Sequence, residues 1–134
     1  MARILVIDDD DLVRNTVQVM LETDGHEAVL AVDGEDGIRQ FQRQPFDLVL
    51  CDVFMPQKEG LATVREIRQT SPDIPIISMT GSAPDSVAGG PDPDFLRMSS
   101  ALGATRTLAK PFRPRELLAL VKECLGTTAK NGGC

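Results

Sequence analysis

A chain of 134 residues with 42% hydrophobic and 25% charged content is long enough to bury one ordinary globular core and too short for a second domain beside it. A net charge of -6 argues against docking on a phosphate backbone, and 4% aromatic content with neither Trp nor Tyr argues against a base-stacking platform, so direct nucleic-acid binding is not expected. A protein or a cation is the expected partner. The three cysteines, at 51, 124 and 134, lack CxxC spacing and fit reduced thiols in the cytoplasm better than disulfides or a zinc site. No apolar run approaches membrane-spanning length, and MARILVI reads straight into a strand, so no export signal is expected.

In chain order, Arg3 to Ile7 reads as an apolar strand ending on four consecutive acids, Asp8 to Asp11. The helix behind them sets Leu12, Val13, Thr16, Val17, Met20 and Leu21 on one face and needs Asp10 or Asp11 at its N-terminus. That leaves Asp8 and Asp9 at the strand tip without a structural task. An Asp24-Gly25 turn opens a short second strand, His26 to Ala31, whose brevity and polar entry place it at a sheet edge. His26, the single histidine, reads as a structural residue. Asp33-Gly34 then leads into a helix over Glu35 to Gln42. Leu48 to Cys51 is a continuous apolar run, the pattern of a central strand covered on both faces, and Asp52 stands where that run gives way to the Met55-Pro56 break. Ligands gather just outside the carboxyl ends of the strands in open α/β sheets, so Asp52 is placed either to cap the following turn or to react.

Gly60 to Gln69 reads as a helix with Leu61, Val64 and Ile67 inside and Arg65, Glu66 and Arg68 outside, ended by Ser71-Pro72. Ile74 to Met79 is the fourth strand, stopping at Thr80-Gly81. From Gly81 to Pro93 there are three Gly and three Pro with Val87 as the one large apolar residue, a connection of the kind that carries function or moves. A helix from Phe95 to Leu102, capped by Asp94, precedes a fifth strand, Thr105 to Leu108, which runs out at Lys110-Pro111-Phe112. The last helix starts at Arg113 or Pro114 and buries Leu117, Leu118, Leu120, Val121, Cys124 and Leu125. Gly126 is its expected stop, which makes residues 1–126 the domain and 127–134 a flexible C-terminal tail.

Five strands each followed by a helix require a parallel sheet with helices on both faces, and they carry Asp8, Asp9, Asp52, Thr80 and Lys110 to one rim. Crowded carboxylates resist ionising together, and a hard divalent cation that takes oxygen ligands, most plausibly Mg²⁺, relieves this. Thr80 and Lys110 add a hydrogen-bond donor and a positive charge suited to a phosphoryl oxygen.

Taken together, ILVIDDDD, DVFMP with Gly60 beyond it, IISMTG and LAKPF resemble, in order and near-spacing, the receiver domains of two-component response regulators over about residues 2 to 125. The resemblance implies a flavodoxin-like five-stranded sheet of order 2-1-3-4-5. It implies a stand-alone signalling switch or phosphoryl shuttle in which Asp52 accepts a phosphoryl group from a histidine kinase or histidine phosphotransfer protein. Asp8, Asp9, Asp52 and the backbone carbonyl of Phe54 would hold Mg²⁺, Lys110 would pair with the phosphoryl group, and Thr80 would bond it on switching. A cis Lys110-Pro111 bond is implied as well. So is a downstream protein target met through the 95–102 helix, the fifth strand and the last helix, with self-phosphotransfer and autodephosphorylation but no turnover of a separate substrate.

Two departures qualify the carry-over. Thr107 stands where the family usually has Tyr or Phe, which removes the usual aromatic switch, and the connection from Thr80 to Gly103 is about eight residues longer than the family norm. Switching is therefore expected to run through Gly81 to Pro93, and the partner surface to be altered. Phe54, two residues beyond the acceptor, cannot orient an attacking water and is expected to slow hydrolysis of an acyl phosphate. A Mg²⁺-dependent phosphatase with an Asp nucleophile would want a second acid where Phe54 stands. A degenerate receiver acting only as a binding module would not need all of Asp8, Asp9, Asp52, Thr80 and Lys110.

Overall fold

The structure, a computed structural model, describes residues 2–52, 59–80, 106–109 and 112–131. Its elements are β1 (Arg3–Ile7), α1 (Asp11–Thr23), β2 (Glu27–Ala31), α2 (Gly34–Arg43), β3 (Leu48–Asp52), α3 (Glu59–Thr70), β4 (Ile76–Thr80), β5 (Arg106–Ala109) and a C-terminal helix (Pro114–Asn131). All strand pairs are parallel and the sheet order is β2-β1-β3-β4-β5, as the alternation of strand and helix requires. The expected 95–102 helix, the Gly81 to Pro93 segment and the Lys110-Pro111 bond lie outside the described residues.

Successive strand residues point to opposite faces, so each inner strand feeds two cores. On one face Ile4, Val6, Leu48, Leu50, Ile77, Met79 and Leu108 meet Val17 and Leu21 of α1 and Leu117, Val121 and Cys124 of the C-terminal helix. On the other, Leu5, Ile7, Val49, Cys51 and Ile76 meet Val64 and Ile67 of α3, with Ile38 and Phe41 of α2 packed alongside. Cys51 and Cys124 are buried on opposite faces, so the sheet itself stands between their thiols. Ser78 shares the Cys51 face, being in register with Cys51 and Thr107. Its Oγ is buried and has no hydrogen-bond partner among the described residues.

The edge strand β2 is tied to the start of β1 by local polar contacts. Glu27 N–H donates to the Ala2 carbonyl at 2.8 Å, the Arg3 guanidinium pairs with Glu27 at 3.0 Å, and His26 Nδ1 accepts from Ala2 N–H at 3.2 Å. The single histidine is thus a fastening of the strand pair. Gly25, at φ +87°, supplies the left-handed turn that reverses the chain into it. At the start of α2, burial works against ionisation of Asp36, but the Val32 N–H bond and the Arg39 guanidinium outweigh it and hold the carboxyl below its usual range.

Two helical expectations need correction. Leu12 is 73% exposed and Thr16 is exposed, whereas Arg14 is buried, so the inward stripe of α1 runs Arg14–Val17–Leu21 with Val13 and Met20 beside it. The stop expected at Gly126 does not occur, because the C-terminal helix continues to Asn131. A glycine in a helix interior costs about 1 kcal/mol relative to alanine, which is too little to end a helix unless a proline or a left-handed turn follows. At its other end, Glu116 accepts the Arg113 N–H at 3.0 Å and Pro114 occupies the first turn, where no intrahelical N–H is needed.

Gly37 sets how closely α2 approaches β1, since a Cβ there would lie 2.5 Å from Ile7 Cδ1 and 2.8 Å from Ile7 Cγ1. Gly37→Ala should gain up to about 1 kcal/mol of helix propensity and lose about 1–3 kcal/mol to overpacking, a net loss read as a lower urea midpoint. A raised midpoint would mean that Ile7 turns aside at little cost.

Candidate functional site

The parallel register aligns the strand ends at one rim. Asp52 closes β3 behind four residues of zero exposure and is itself 4% exposed. Because Ile7 pairs with Cys51, the residue after Ile7 stands level with Asp52 on the neighbouring strand, and that residue is Asp8. On the other side Asp52 pairs with Met79, so Thr80 stands one step further out, opposite Ala109.

The turn from β1 into α1 is closely held. Asp8 N–H donates to the Ala31 carbonyl at 3.2 Å, and one Asp8 carboxylate oxygen accepts Asp10 N–H at 2.9 Å. Asp10 is the N-cap of α1: its carboxylate accepts Leu12 N–H at 2.9 Å and its carbonyl accepts Arg14 N–H at 3.0 Å. Asp8, expected to be structurally idle, therefore helps to shape the turn. Asp9 is exposed at the rim.

The carboxylate oxygens of Asp8, Asp9 and Asp52 lie within 4.8 Å of one another. Three like charges at that spacing repel strongly where two of the groups are buried, and an all-oxygen donor set suits a hard cation that retains water, such as Mg²⁺, rather than zinc. The residues fit such an ion. Thr80 ends β4 on the same rim, while Lys110 and the Phe54 carbonyl lie outside the described residues. Arg14 is the residue that the sequence reading missed. Its guanidinium Nη1 donates to the Asp8 carbonyl at 2.6 Å and its Nη2 pairs with the Asp11 carboxylate. The signal was present in the spacing 14, 17, 21, an apolar stripe with an arginine in its first place.

The response regulator receiver domain family matches residues 4–122 of this chain. The chain belongs to that family. A probable transcriptional regulator, ycf27, of Cyanophora paradoxa is 36% identical over 140 residues, covering 97% of this chain and 54% of that protein. The alkaline phosphatase synthesis transcriptional regulatory protein PhoP of Bacillus subtilis is 32% identical over 124 residues, covering 92% of this chain and 48% of that protein. The chain thus spans about half the length of these curated relatives. Among solved structures, a CheY-like receiver domain protein from Methanospirillum hungatei superposes with a TM-score of 0.84 at 29% identity, covering 97% of this chain and 98% of that one. The Vibrio cholerae chemotaxis protein CheY4 does so at 0.81 and 30%, covering 92% and 98%.

The receiver fold and the sheet order expected from the motifs are both present. Receiver domains serve phosphorylation-dependent signalling, pair with histidine kinases and generally use Mg²⁺. No helix among the described residues is long and apolar enough to cross a membrane.

Proposed function

We propose that this receiver accepts a phosphoryl group on Asp52 from a histidine kinase or a histidine phosphotransfer protein, in the cytoplasm, and acts as a signalling switch or phosphoryl shuttle. The observation that carries the reading is the placement of Asp52: nearly buried at the tip of the central strand, with the Asp8 and Asp9 carboxylates within 4.8 Å. One Asp52 oxygen attacks phosphorus in line with the P–N bond of the donor phosphohistidine. The new P–O bond forms as the P–N bond breaks, and the departing imidazole takes up a proton.

Asp8, Asp9 and Asp52, with the Phe54 carbonyl, would hold Mg²⁺, and the bound ion would supply positive charge to the phosphoryl oxygens. Lys110 adds a second positive charge, and Thr80 bonds a phosphoryl oxygen once transfer is complete. The buried position of Asp52 limits water around the acyl phosphate. The surface that includes β5 and the C-terminal helix then meets a downstream protein.

The direct test is incubation with acetyl phosphate and Mg²⁺ read by intact mass. A gain of one phosphoryl group that fails to form when the metal is chelated beforehand supports the reading, and no gain with Mg²⁺ present refutes it. The site geometry also separates the two metal acids. Asp8 has a carboxylate oxygen engaged by Asp10 N–H, whereas Asp9 is exposed at the rim. Asp9→Ala should therefore weaken Mg²⁺ binding, measured by calorimetric titration, more than Asp8→Ala does. Equal or reversed losses would overturn that division of labour.

A further inference from the structure

We propose that Arg14 is a positioning residue for the metal-binding acids, holding the Asp8 carbonyl so that the β1–α1 turn presents Asp8 and Asp9 towards Asp52. The inference rests on the reading of this rim as a Mg²⁺ site. Arg14 is buried on the inward stripe of α1, and its contact with the Asp8 carbonyl, at 2.6 Å, is also buried. The acceptor is the backbone oxygen and not the carboxylate. The guanidinium therefore fixes the peptide plane from which the chain turns into Asp9, without covering the oxygens that face Asp52. The second arm of the fork pairs with Asp11 in the first turn of the same helix, which fixes the guanidinium's own orientation.

Around this anchor the turn is tied at three further points: Asp10 N–H to the Asp8 carboxylate, Leu12 N–H to the Asp10 carboxylate, and Arg14 N–H to the Asp10 carbonyl. Residues 8 to 11 thus have little freedom relative to α1. Ligands held this way lose less conformational freedom when an ion arrives, and loss of a group that orients a metal ligand commonly costs about 10- to 100-fold in affinity.

Charge alone predicts the opposite. Arg14 is a cation beside a cation site, so removing it should tighten Mg²⁺ binding if repulsion were its main effect. The two effects have opposite signs, which makes the experiment decisive.

Mg²⁺ is titrated calorimetrically into the full 134-residue chain as wild type, Arg14→Met, Arg14→Lys and Asp9→Ala, each shown to be folded by circular dichroism and thermal melting at the working temperature. The expected order of affinity is wild type, then Arg14→Lys, which keeps the charge but not the two-armed fork, then Arg14→Met, weakened about tenfold or more. A purely structural arginine would lower the melting temperatures and leave the affinity of the folded variants unchanged. Arg14→Met binding as tightly as wild type, or more tightly, while Asp9→Ala is weakened, would overturn the proposal and leave the metal site standing. If Arg14→Met does not fold, Arg14→Lys decides: a severalfold loss supports the role and an unchanged affinity removes it. If wild type itself takes up no Mg²⁺, or Asp9→Ala is without effect, the metal-site reading falls and this inference with it.

Discussion

Asp52→Asn should abolish phosphoryl incorporation from acetyl phosphate, leaving intact mass unchanged under conditions that label the wild type. The substitution keeps size and shape but exchanges a charged carboxylate for an amide, which is a poor nucleophile and a weaker ligand for a hard cation. Asp52 is 4% exposed at the tip of the central strand, and the neighbouring acids Asp8 and Asp9 are assigned to the metal. Asp10→Asn is the matched control. Asparagine caps a helix about as well as aspartate, so α1 keeps its start while one rim charge is lost, and labelling should persist. Unchanged labelling of Asp52→Asn would place the acceptor elsewhere.

Leu50→Ala should be the most damaging of the single core truncations in the central strand. Leu50 has zero exposure and sits in β3 with paired strands on either side, β1 at Val6 and β4 at Ile77, and with α1 and the C-terminal helix sharing its core. A site enclosed on so many sides has little room to collapse, so the loss should fall in the upper part of the usual range of about 2–5 kcal/mol. For a domain whose whole stability is of the order of 5–15 kcal/mol, that shows as a large drop in urea midpoint and in Tm. A loss under about 1 kcal/mol would show that the neighbouring helices close the gap.

Much of the fold was legible because its signals were redundant. The apolar runs at Arg3–Ile7 and Leu48–Asp52, each bounded by acids or turn residues, can be read as strands without knowing their partners, and the rule for parallel crossovers then gathers their ends. The site followed from the same logic: once Asp8 and Asp52 are strand-end residues on adjacent strands, the register leaves them level. The helix surfaces were less legible. A period of 3.6 gives a stripe about 100° wide but not its centre, and in α1 the buried bond to the Asp8 carbonyl holds Arg14 inward while Leu12 in the first turn faces solvent. Such a choice is made by tertiary partners that hydrophobic periodicity does not encode. Gly126 was misjudged for a related reason: a stop signal needs a left-handed residue or a proline behind it, and Thr127 to Asn131 supply neither.

The lone hydroxyl of Ser78 gives β4 an energetic asymmetry. Among the described residues its Oγ has no hydrogen-bond partner, and a buried hydroxyl left unpaired costs about 1–3 kcal/mol. That deficit lies two residues before Thr80 and level with Cys51 and Thr107 on the adjoining strands. A rearrangement of β5 that lent Ser78 an acceptor would recover up to that cost, a factor of about 5 to 150 in relative population.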